Sequence, residues 1–449
     1  MVNHAQLTPS QKIKALRESA NCMQQDLAVV LGCTKFKISK VENGVFEYNK
    51  EDIAAAKKFF GVEKAPFTDK ELMEFKQQLY NWKNLIRNGP TNEARKIQND
   101  LAIITQLPFE PDLNTLYRMF EIRLVLAEEN IALAEKMLLS EASLIEEATE
   151  ENKHYFYHNM GSLYYYKVDI KTALQYYLKA RSFETYVFKK DDSLNINMAF
   201  CYTGLGKYTL AIGTIVEVYD LIELNKSSVM RTYIQNTLAI NYVNVGQVTR
   251  AKRILDKALS EAMGIDGKLH IGFILHNYGC ACLKSKEYQE AIDYFNRTNE
   301  YVEIGDKFYI ENMYWKIYCL IELKEVANAK VLLSEMKPLI EGSEHYSLNF
   351  ESLSHLLTIN DDASLEFIEK KTIPYLIEKY EYFRALDYCY MLVNKFTKRI
   401  NKGYKKRLVK LKEVILKITE EMLFGEEVIS NEDGAYEHYP SYGKKKTTG

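Results

Sequence analysis

Small residues recur along the chain at a nearly constant spacing, and this recurrence restricts the possible fold more than any other feature. Seven alanines are separated by 40, 39, 38, 40, 40 and 38 residues: Ala94, Ala134, Ala173, Ala211, Ala251, Ala291 and Ala329. Between about residues 70 and 425, apolar residues recur at i, i+3, i+4 and i+7, which is the pattern of amphipathic helices. A fixed period of this length predicts a stack of helical pairs that bury a continuous core between them.

The clearest single unit spans residues 154–180. In it Gly161 is followed by Tyr164 at +3, Ala173 at +12, Tyr177 at +16 and Ala180 at +19. Small residues on two antiparallel helices allow close approach, and aromatic rings fill the gaps. Further copies read Ala199, Tyr202, Ala211; then Ala239, Tyr242, Ala251, Ala258; then Gly279, Cys282, Ala291, Phe295. This is the tetratricopeptide (TPR) spacing with a longer period, and it predicts an all-α fold with a right-handed TPR-like α-solenoid.

Changes in pattern divide the chain into four parts. Residues 1–61 hold several short helices and form a separate small domain, while Pro66 marks a linker over residues 62–69 because proline disfavours helix in the residue before it. The repeats occupy residues 70–425, and a lysine-rich helix near residues 401–424 is expected to cap the stack. Residues 426–449 lack periodicity and are predicted to be a disordered tail.

Composition limits the classes of function. The 449 residues are 47% hydrophobic and 27% charged, with 59 basic against 61 acidic residues, so a net charge of −2 gives no whole-molecule attraction to nucleic acid. Residues 1–60, in contrast, carry nine basic and six acidic residues. Seven scattered cysteines indicate reduced thiols, and neither a secretory signal nor an apolar run of 18 residues is found. We expect a cytoplasmic protein without a membrane partner.

One segment of the first domain carries a helix-turn-helix pattern. From residue 24 to 44 it reads QQDLAVVLGCTKFKISKVENG, in which Gly32 permits a tight turn and Thr34 can cap the next helix. These residues resemble the phage-repressor-like (XRE) family throughout, except at Met23, where the family usually has Ser or Thr. The resemblance implies that residues 35–43 enter the major groove of a double-stranded DNA operator.

The same resemblance assigns roles to individual residues. It implies base-facing positions for Lys35, Phe36 and Lys40, and phosphate or groove-edge contacts for Gln24, Thr34 and Lys37. Independently of it, three lysines within six residues make a positive helix, since lysine can donate to guanine and phenylalanine can pack on a thymine methyl. The alternative is a solvated lysine face on a protein-binding domain. Arg17 and Glu42 match a pair that forms an internal salt bridge in the family.

Asparagines at one register of the repeats indicate a ligand site. Asn159, Asn197 and Asn277 each lie two residues before a small residue of a first helix. A carboxamide both donates and accepts, so such a row can hold an extended peptide without reading its sequence. Neighbouring positions could supply side-chain pockets and anchors: Tyr155, His158, Tyr233, Asn236, Phe273, His276 and, in an earlier repeat, Arg123. The alternative is that the asparagines bridge helices and that the aromatic residues belong to the core.

The order of the two parts resembles the RRNPP family of peptide-sensing regulators of Gram-positive bacteria. The resemblance covers residues 10 to about 425 and implies a homodimeric transcription regulator with the TPR repeats as the quorum-sensing, peptide-binding part. Sporulation is among the processes that such proteins control. The alternative is a scaffold or phosphatase-type regulator that binds a response regulator through its first repeats, where Gln77 and Gln78 lie.

Other patterns do not predict chemistry. His154 and His158 have a zinc-compatible i, i+4 spacing but lack a third ligand, and Cys280 and Cys282 lack a second pair. The stretch from Gly204 to Gly206 lacks the strand and third glycine of a dinucleotide motif. Because catalytic carboxylate pairs, nucleophile elbows and phosphate loops are also missing, we predict no enzyme, no metal and no cofactor.

Overall fold

The computed structural model describes residues 7–88, 91–188, 192–220, 228–264, 268–357, 361–398 and 402–424. Across these ranges the regular structure is helical, with no β-strand. The chain divides into two compact units, Met1–Asp191 and Asp192–Gly449. The predicted tail at 426–449 lies outside the described residues. Within them, no helix has both the length and the apolar character needed to cross a bilayer.

Four short helices open the first unit: α1 (Pro9–Ser19), α2 (Gln24–Val30), α3 (Lys35–Glu42) and α4 (Lys50–Phe59). Side chains set their starts: α1, α3 and α4 begin after caps at Thr8, Thr34 and Asn49, whose oxygens accept backbone N–H groups. Gly32, with a φ of +58°, makes the turn between α2 and α3, a backbone conformation that glycine adopts at little cost. Their core contains Ile13, Leu16, Leu27, Ala28, Ile38, Val41 and Ala56.

Three helical pairs follow in the same unit. They are α5 (Asp69–Asn88) with α6 (Thr91–Leu101), α7 (Pro111–Ala127) with α8 (Ile131–Glu141), and α9 (Glu150–Tyr166) with α10 (Ile170–Arg181). Short 3₁₀ segments lie at Ala102–Gln106, Ile145–Glu147 and Glu184–Tyr186. The four-helix part also contacts the first repeats. Nζ of buried Lys12 lies 2.8 Å from Oε1 of Glu110 and forms an ion pair with it.

The second unit continues the pairs. These are α11 (Ser193–Gly204) and α12 (Tyr208–Val216), α13 (Ser228–Asn244) and α14 (Val248–Ala262), α15 (Lys268–Lys284) and α16 (Tyr288–Thr298), and α17 (Lys307–Glu322) and α18 (Val326–Ile340). A less regular part follows with α19 (Glu344–Leu357), α20 (Asp362–Phe367), a π-helical turn (Ile368–Thr372) and α21 (Ile373–Glu378). The last pair is α22 (Tyr382–Thr397) and α23 (Lys402–Phe424).

The small-residue register lies at the centre of this packing. All seven periodic alanines fall in second helices of pairs and have no exposed surface. On the first helices, a Cβ added at Gly161 would lie 2.5 Å from the Tyr177 ring, and one at Gly279 would lie 2.4 Å from the Phe295 ring. Both rings are the residue at +16 in the repeat frame. The predicted fold class is therefore confirmed, with a TPR-like helical pair as its unit.

None of the seven cysteines forms a disulfide, and five of them are buried: Cys201, Cys280, Cys282, Cys319 and Cys389. Burial raises the pKa of each of these five thiols, Cys201 to about 12. Such thiols stay protonated at neutral pH and act as small apolar groups in the core.

Candidate functional site

Helix α3 presents an outward face of cations around one aromatic ring. Phe36 is 69% exposed and Lys35 is also exposed, whereas Ile38 and Val41 on the other side of the helix are buried. The Lys40 ammonium lies 5.3 Å from the centre of the Phe36 ring. The amphipathic period of α3 therefore leaves Lys35 and Phe36 exposed, with half-buried Lys40 beside them.

A hydrogen-bonded network behind α3 joins it to α1 and α2. Nε of Arg17 donates to Oε1 of Glu42 at 2.6 Å and Nη2 donates to Oε2 at 2.9 Å, so the pair is bidentate. Hydrogen bonding to Glu42 raises the pKa of Arg17. The amide of Gln24 donates to the same carboxylate at 2.7 Å. Gln24, which the XRE resemblance places against DNA, thus holds the internal ion pair in this structure.

Thr34 and Lys37 also have partners within the domain. Oγ1 of Thr34 accepts the N–H of Lys37 at 3.2 Å and caps α3. The Lys37 ammonium lies 3.0 Å from Asp52 of α4, and the hydrogen bond to this carboxylate raises the pKa of the lysine. Met23 occupies the N-cap position of α2, but it has no side-chain oxygen that could accept a backbone N–H. Its own N–H donates to the Asp26 carboxylate at 3.0 Å.

In the first unit, the predicted peptide residues of α7 and α9 lie inside the helical packing. Asn159 has no exposed surface; its amide donates to the Met119 carbonyl at 2.8 Å and accepts from Nε of Arg123 at 3.3 Å. His158 is buried against the Tyr177 ring, and the buried Tyr155 hydroxyl donates to that of Tyr80 at 3.2 Å. Asn159 therefore joins α7 to α9 in this structure, as the helix-bridging alternative expects.

In the second unit, two asparagines on successive first helices contact each other. The amide of Asn277 on α15 donates to Oδ1 of Asn236 on α13 at 2.8 Å, and each residue is 8% exposed. Because Asn236 accepts in this bond, its own NH₂ remains a donor, and Asn277 retains a carbonyl acceptor. Asn197 is half-buried on α11.

His276 belongs to a separate polar group beside this pair. Its Nδ1 lies 2.6 Å from Oδ1 of Asn312, whose amide donates to Asn299 at 3.1 Å. Burial lowers the pKa of His276, which favours the neutral imidazole at neutral pH.

A shallow recess that is open to solvent lies between α13 and α15. It is lined by Thr232, Tyr233, Asn236, His270, Phe273 and Ile274. Three of these, Tyr233, Asn236 and Phe273, were predicted from the repeat register as peptide-binding residues. The other three were missed, as was Asn312, because their positions become neighbours only when successive repeats stack. Their one sequence signal is that each lies on a first helix of a pair.

The residues for which the sequence predicts no chemistry have contacts or backbone roles within the fold. The His154 ring contacts the Ala180 carbonyl at 2.9 Å, and Gly206 makes the turn between α11 and α12 with a φ of +70°. Among the described residues, Cys282, Glu287 and Glu290 form a group close enough to surround a cation. Glu287 in this group already pairs with Lys252 at 2.7 Å. Gln77 is half-buried and donates to Asn81, and Gln78 is exposed.

Comparison with known proteins places this arrangement in a wider context. No protein-family model matches the chain. It is 22% identical over 344 residues to the transcriptional activator NprA of Geobacillus stearothermophilus, a match that covers 73% of this chain and 84% of the relative. Its fold is similar to that of the apo quorum sensor NprR from B. thuringiensis, with a TM-score of 0.60, 18% identity and coverage of 77% and 99% of the two chains.

A second structural relative is a Rap protein complexed with Competence and Sporulation Factor, with a TM-score of 0.61, 16% identity and coverage of 78% and 98%. NprR in complex with its cognate peptide NprX gives a TM-score of 0.57 at 18% identity. Four short helices are thus followed by TPR-like helical pairs, and the fold of the chain is similar to that of these structures. The resemblance to the RRNPP family, which the residues of both parts indicated, is confirmed by these relatives.

Proposed function

We propose that this protein is a cytoplasmic, sequence-specific DNA-binding transcription regulator whose activity is controlled by a short signalling peptide bound by its repeats. It acts as a homodimer on a double-stranded operator. The observation that carries the proposal is the outward face of α3, where Lys35 and Phe36 are exposed and half-buried Lys40 lies beside the Phe36 ring, while Thr34 and Lys37 have partners within the domain.

The chemistry of this face suits the major groove. An ammonium group can donate to guanine O6 and N7, and an exposed phenylalanine can contact a thymine methyl. The bidentate Arg17–Glu42 pair and the Thr34 cap hold α3 on the domain, so its outward face has a defined orientation. The 22% identical relative is a transcriptional activator, which supports the proposal that this protein regulates transcription.

The peptide half of the proposal rests on the second unit. The Asn236–Asn277 pair offers one amide donor and one carbonyl acceptor beside the recess, which matches the C=O and N–H of an extended peptide. NprR was solved with a cognate peptide and has a similar fold, which supports a peptide ligand for this chain. Asn197 and His276 are further contact candidates of this site.

The test of DNA binding begins with selection of sites from a random duplex pool by the purified full-length protein. Gel-shift titrations on the best site then compare wild type with Lys35→Ala and Lys40→Ala, which we expect to lose about tenfold or more in affinity. Lys58→Ala is the matched control, because Lys58 is exposed on α4 of the same domain. Equal affinity in all three variants would contradict the role of α3.

Selection from the random duplex pool also distinguishes this proposal from the alternative, a protein that binds a response regulator and not DNA. A regulator that only sequesters a response regulator would select no sequence from the pool, either alone or with added peptide extracts, and would form a stoichiometric complex with that partner. For the peptide half, Asn277→Ala should leave operator affinity unchanged and remove the response to peptide. Loss of operator affinity in this variant would show that it acts on folding instead.

A further inference from the structure

The four-helix part of the chain packs against the first helical pairs around the ring of Phe109. Nζ of Lys12 on α1 lies 5.3 Å from the centre of this ring and forms an ion pair with Glu110, at 2.8 Å. Lys12 is 2% exposed, and Glu110 directly precedes α7. A buried charge pair of this kind holds its two partners together, because separating them would leave an ammonium group in the interior without a counter-ion.

The predicted linker, residues 62–69, is packed at the same place. Ala65 is 1% exposed and Phe67 is 3% exposed. The Phe67 ring meets that of Phe109 edge-on, with 5.4 Å between ring centres. Nζ of Lys57 on α4 donates to the Ala65 carbonyl at 2.7 Å and lies 5.0 Å from the centre of the Phe67 ring. This segment therefore fastens α4 to the residues that precede α7.

These contacts form a joint between the four short helices and the repeats. Its residues are Lys12, Lys57, Phe67, Phe109 and Glu110, and all five belong to the same compact unit. None of them lies on α3, which carries the residues proposed to contact bases. A flexible tether would let α3 take many orientations relative to the repeats, whereas a packed joint allows one. The joint therefore fixes the direction in which α3 points from the first repeats.

We propose that this joint makes the spacing between two operator half-sites a property of the repeats. In a homodimer each copy presents one α3 to the duplex, and the distance between the two recognition helices decides which half-site spacing fits. Because each α3 is held on its own repeats, the association of the two copies sets that distance. Lys12, Phe109 and Glu110 are thus positioning residues for operator choice. This assignment rests on the function proposed above, a homodimeric regulator that binds double-stranded DNA.

The test starts from the site that purified full-length protein selects from a random duplex pool. Duplexes with a few base pairs inserted or removed between the two halves are compared with this site in gel-shift titrations. Wild type should lose about tenfold or more in affinity for the shifted duplexes, because a misplaced half-site requires deformation of the DNA or the loss of one set of contacts.

Two variants loosen the joint. Lys12→Met combined with Glu110→Gln removes the ion pair and leaves no single charge buried. Phe109→Leu keeps an apolar side chain but removes the ring that contacts both Lys12 and Phe67. Each variant should bind the shifted duplexes within about threefold of the selected site, because a loosely attached domain reaches either spacing at a similar effective concentration. Each should also keep wild-type affinity for a duplex with a single half-site.

An exposed ion pair across the same connection provides the matched control. Nζ of Lys64 in the predicted linker lies 3.3 Å from Asp100 on α6, and the two side chains are 78% and 72% exposed. Exposed pairs of this kind contribute little to stability. Lys64→Met combined with Asp100→Asn should therefore keep the spacing dependence of wild type. Circular dichroism melts show that every variant is folded before its binding is measured.

The possible results are distinguishable. If the joint variants keep the spacing dependence of wild type, or if wild type itself binds all spacings equally, the role of the joint is overturned. It is also overturned if the folded joint variants lose affinity for the single half-site, because they then act on the DNA-binding helices themselves. If wild type selects no sequence, or selects one unpaired half-site, the proposed homodimeric DNA-binding function fails instead.

Discussion

At the scale of single residues, the repeat depends on glycines that face an aromatic ring. Gly279 lies so close to Phe295 that a Cβ would overlap the ring, and Gly161 is in the same position against Tyr177. Glycine is intrinsically poor in a helix, by about 1 kcal/mol relative to alanine. Its presence at these two positions is therefore explained by close helix packing and not by helix propensity.

Close packing predicts different effects on stability when two of the glycines are replaced by alanine. Gly279→Ala should lower stability by about 1–3 kcal/mol, because overpacking costs more than the gain in helix propensity. Gly213→Ala, in α12, should be neutral or stabilise by up to about 1 kcal/mol, because no atom lies within 4 Å of the new Cβ. Thermal melts followed by circular dichroism measure both, and equal melting temperatures would contradict the packing argument.

The DNA-binding candidates also differ residue by residue. Lys37 has its ammonium 3.0 Å from Asp52, whereas Lys35 is exposed on the outward face of α3. We expect Lys37→Met to weaken operator binding less than Lys35→Met and to lower the stability of the domain more, since it leaves the mostly buried Asp52 without its partner. Gel-shift titration and a thermal melt of each variant measure the two effects. The reverse order of affinities would show that Lys37 leaves Asp52 to contact DNA.

At the scale of elements, α22 carries buried charge in the second unit. Arg384 is 7% exposed; it pairs with Glu311 of α17 and with Glu381, each at 2.7 Å, and its guanidinium lies 4.2 Å from the Tyr314 ring centre. One turn further on, burial raises the pKa of the Asp387 carboxyl to about 6, although Lys284 acts in the opposite direction. The carboxylate form of Asp387 is thus costly at neutral pH.

Stability should therefore depend on pH through Asp387. Well below pH 4 the carboxyl is protonated in the folded and unfolded states alike and has no effect. Between about pH 4 and 6 only the unfolded state releases the proton, so stability falls as pH rises, and above pH 6 the full cost of about 1–3 kcal/mol remains. Asp387→Asn should raise the urea midpoint much more at pH 8 than at pH 4, and Asp293→Asn, an exposed aspartate on α16, should raise it at neither pH. An equal gain at both pH values would contradict the titration.

At the scale of the whole molecule, each unit is held by contacts between distant parts of the chain. In the second unit the turn between α11 and α12 meets the start of α22: a Cβ at Gly206 would lie 2.3 Å from the Tyr382 ring. Tyr208 belongs to the apolar core that runs from Cys280 to Met422, and α12 packs against α23. The first and last helical pairs of this unit therefore share one core.

Two turn glycines test this closure. Gly206 and Gly246 have φ values of +70° and +81° at corresponding turns, so alanine at either costs about 1–2 kcal/mol in backbone strain. Only at Gly206 does the new methyl also displace Tyr382. Hydrogen exchange should increase near residues 380–386 in Gly206→Ala and stay near wild type there in Gly246→Ala. Equal exchange in the two variants would show that the contact does not hold the unit together.

The class of fold and the positions of the seven helical pairs from α5 to α18 follow from the sequence alone. A period of 38–40 residues places a small residue where the two helices of each pair cross. Because this requirement concerns residues within one repeat, the sequence alone reveals it. The Arg17–Glu42 contact was expected from the resemblance to the XRE family, and the structure contains it.

Packing between distant segments of the chain decides which polar side chains remain available to a ligand. Asn159 and Asn277 occupy the same register of the repeat. The side chain of Asn159 is hydrogen-bonded to Met119 and Arg123, whereas that of Asn277 is hydrogen-bonded to Asn236 beside an open recess. Likewise Lys35 and Lys37 lie two residues apart, and only Lys37 meets a carboxylate from another helix. The physical reason is that helix formation depends on neighbours in sequence, whereas a hydrogen-bonding group is satisfied by whatever residue the packing of distant segments brings to it.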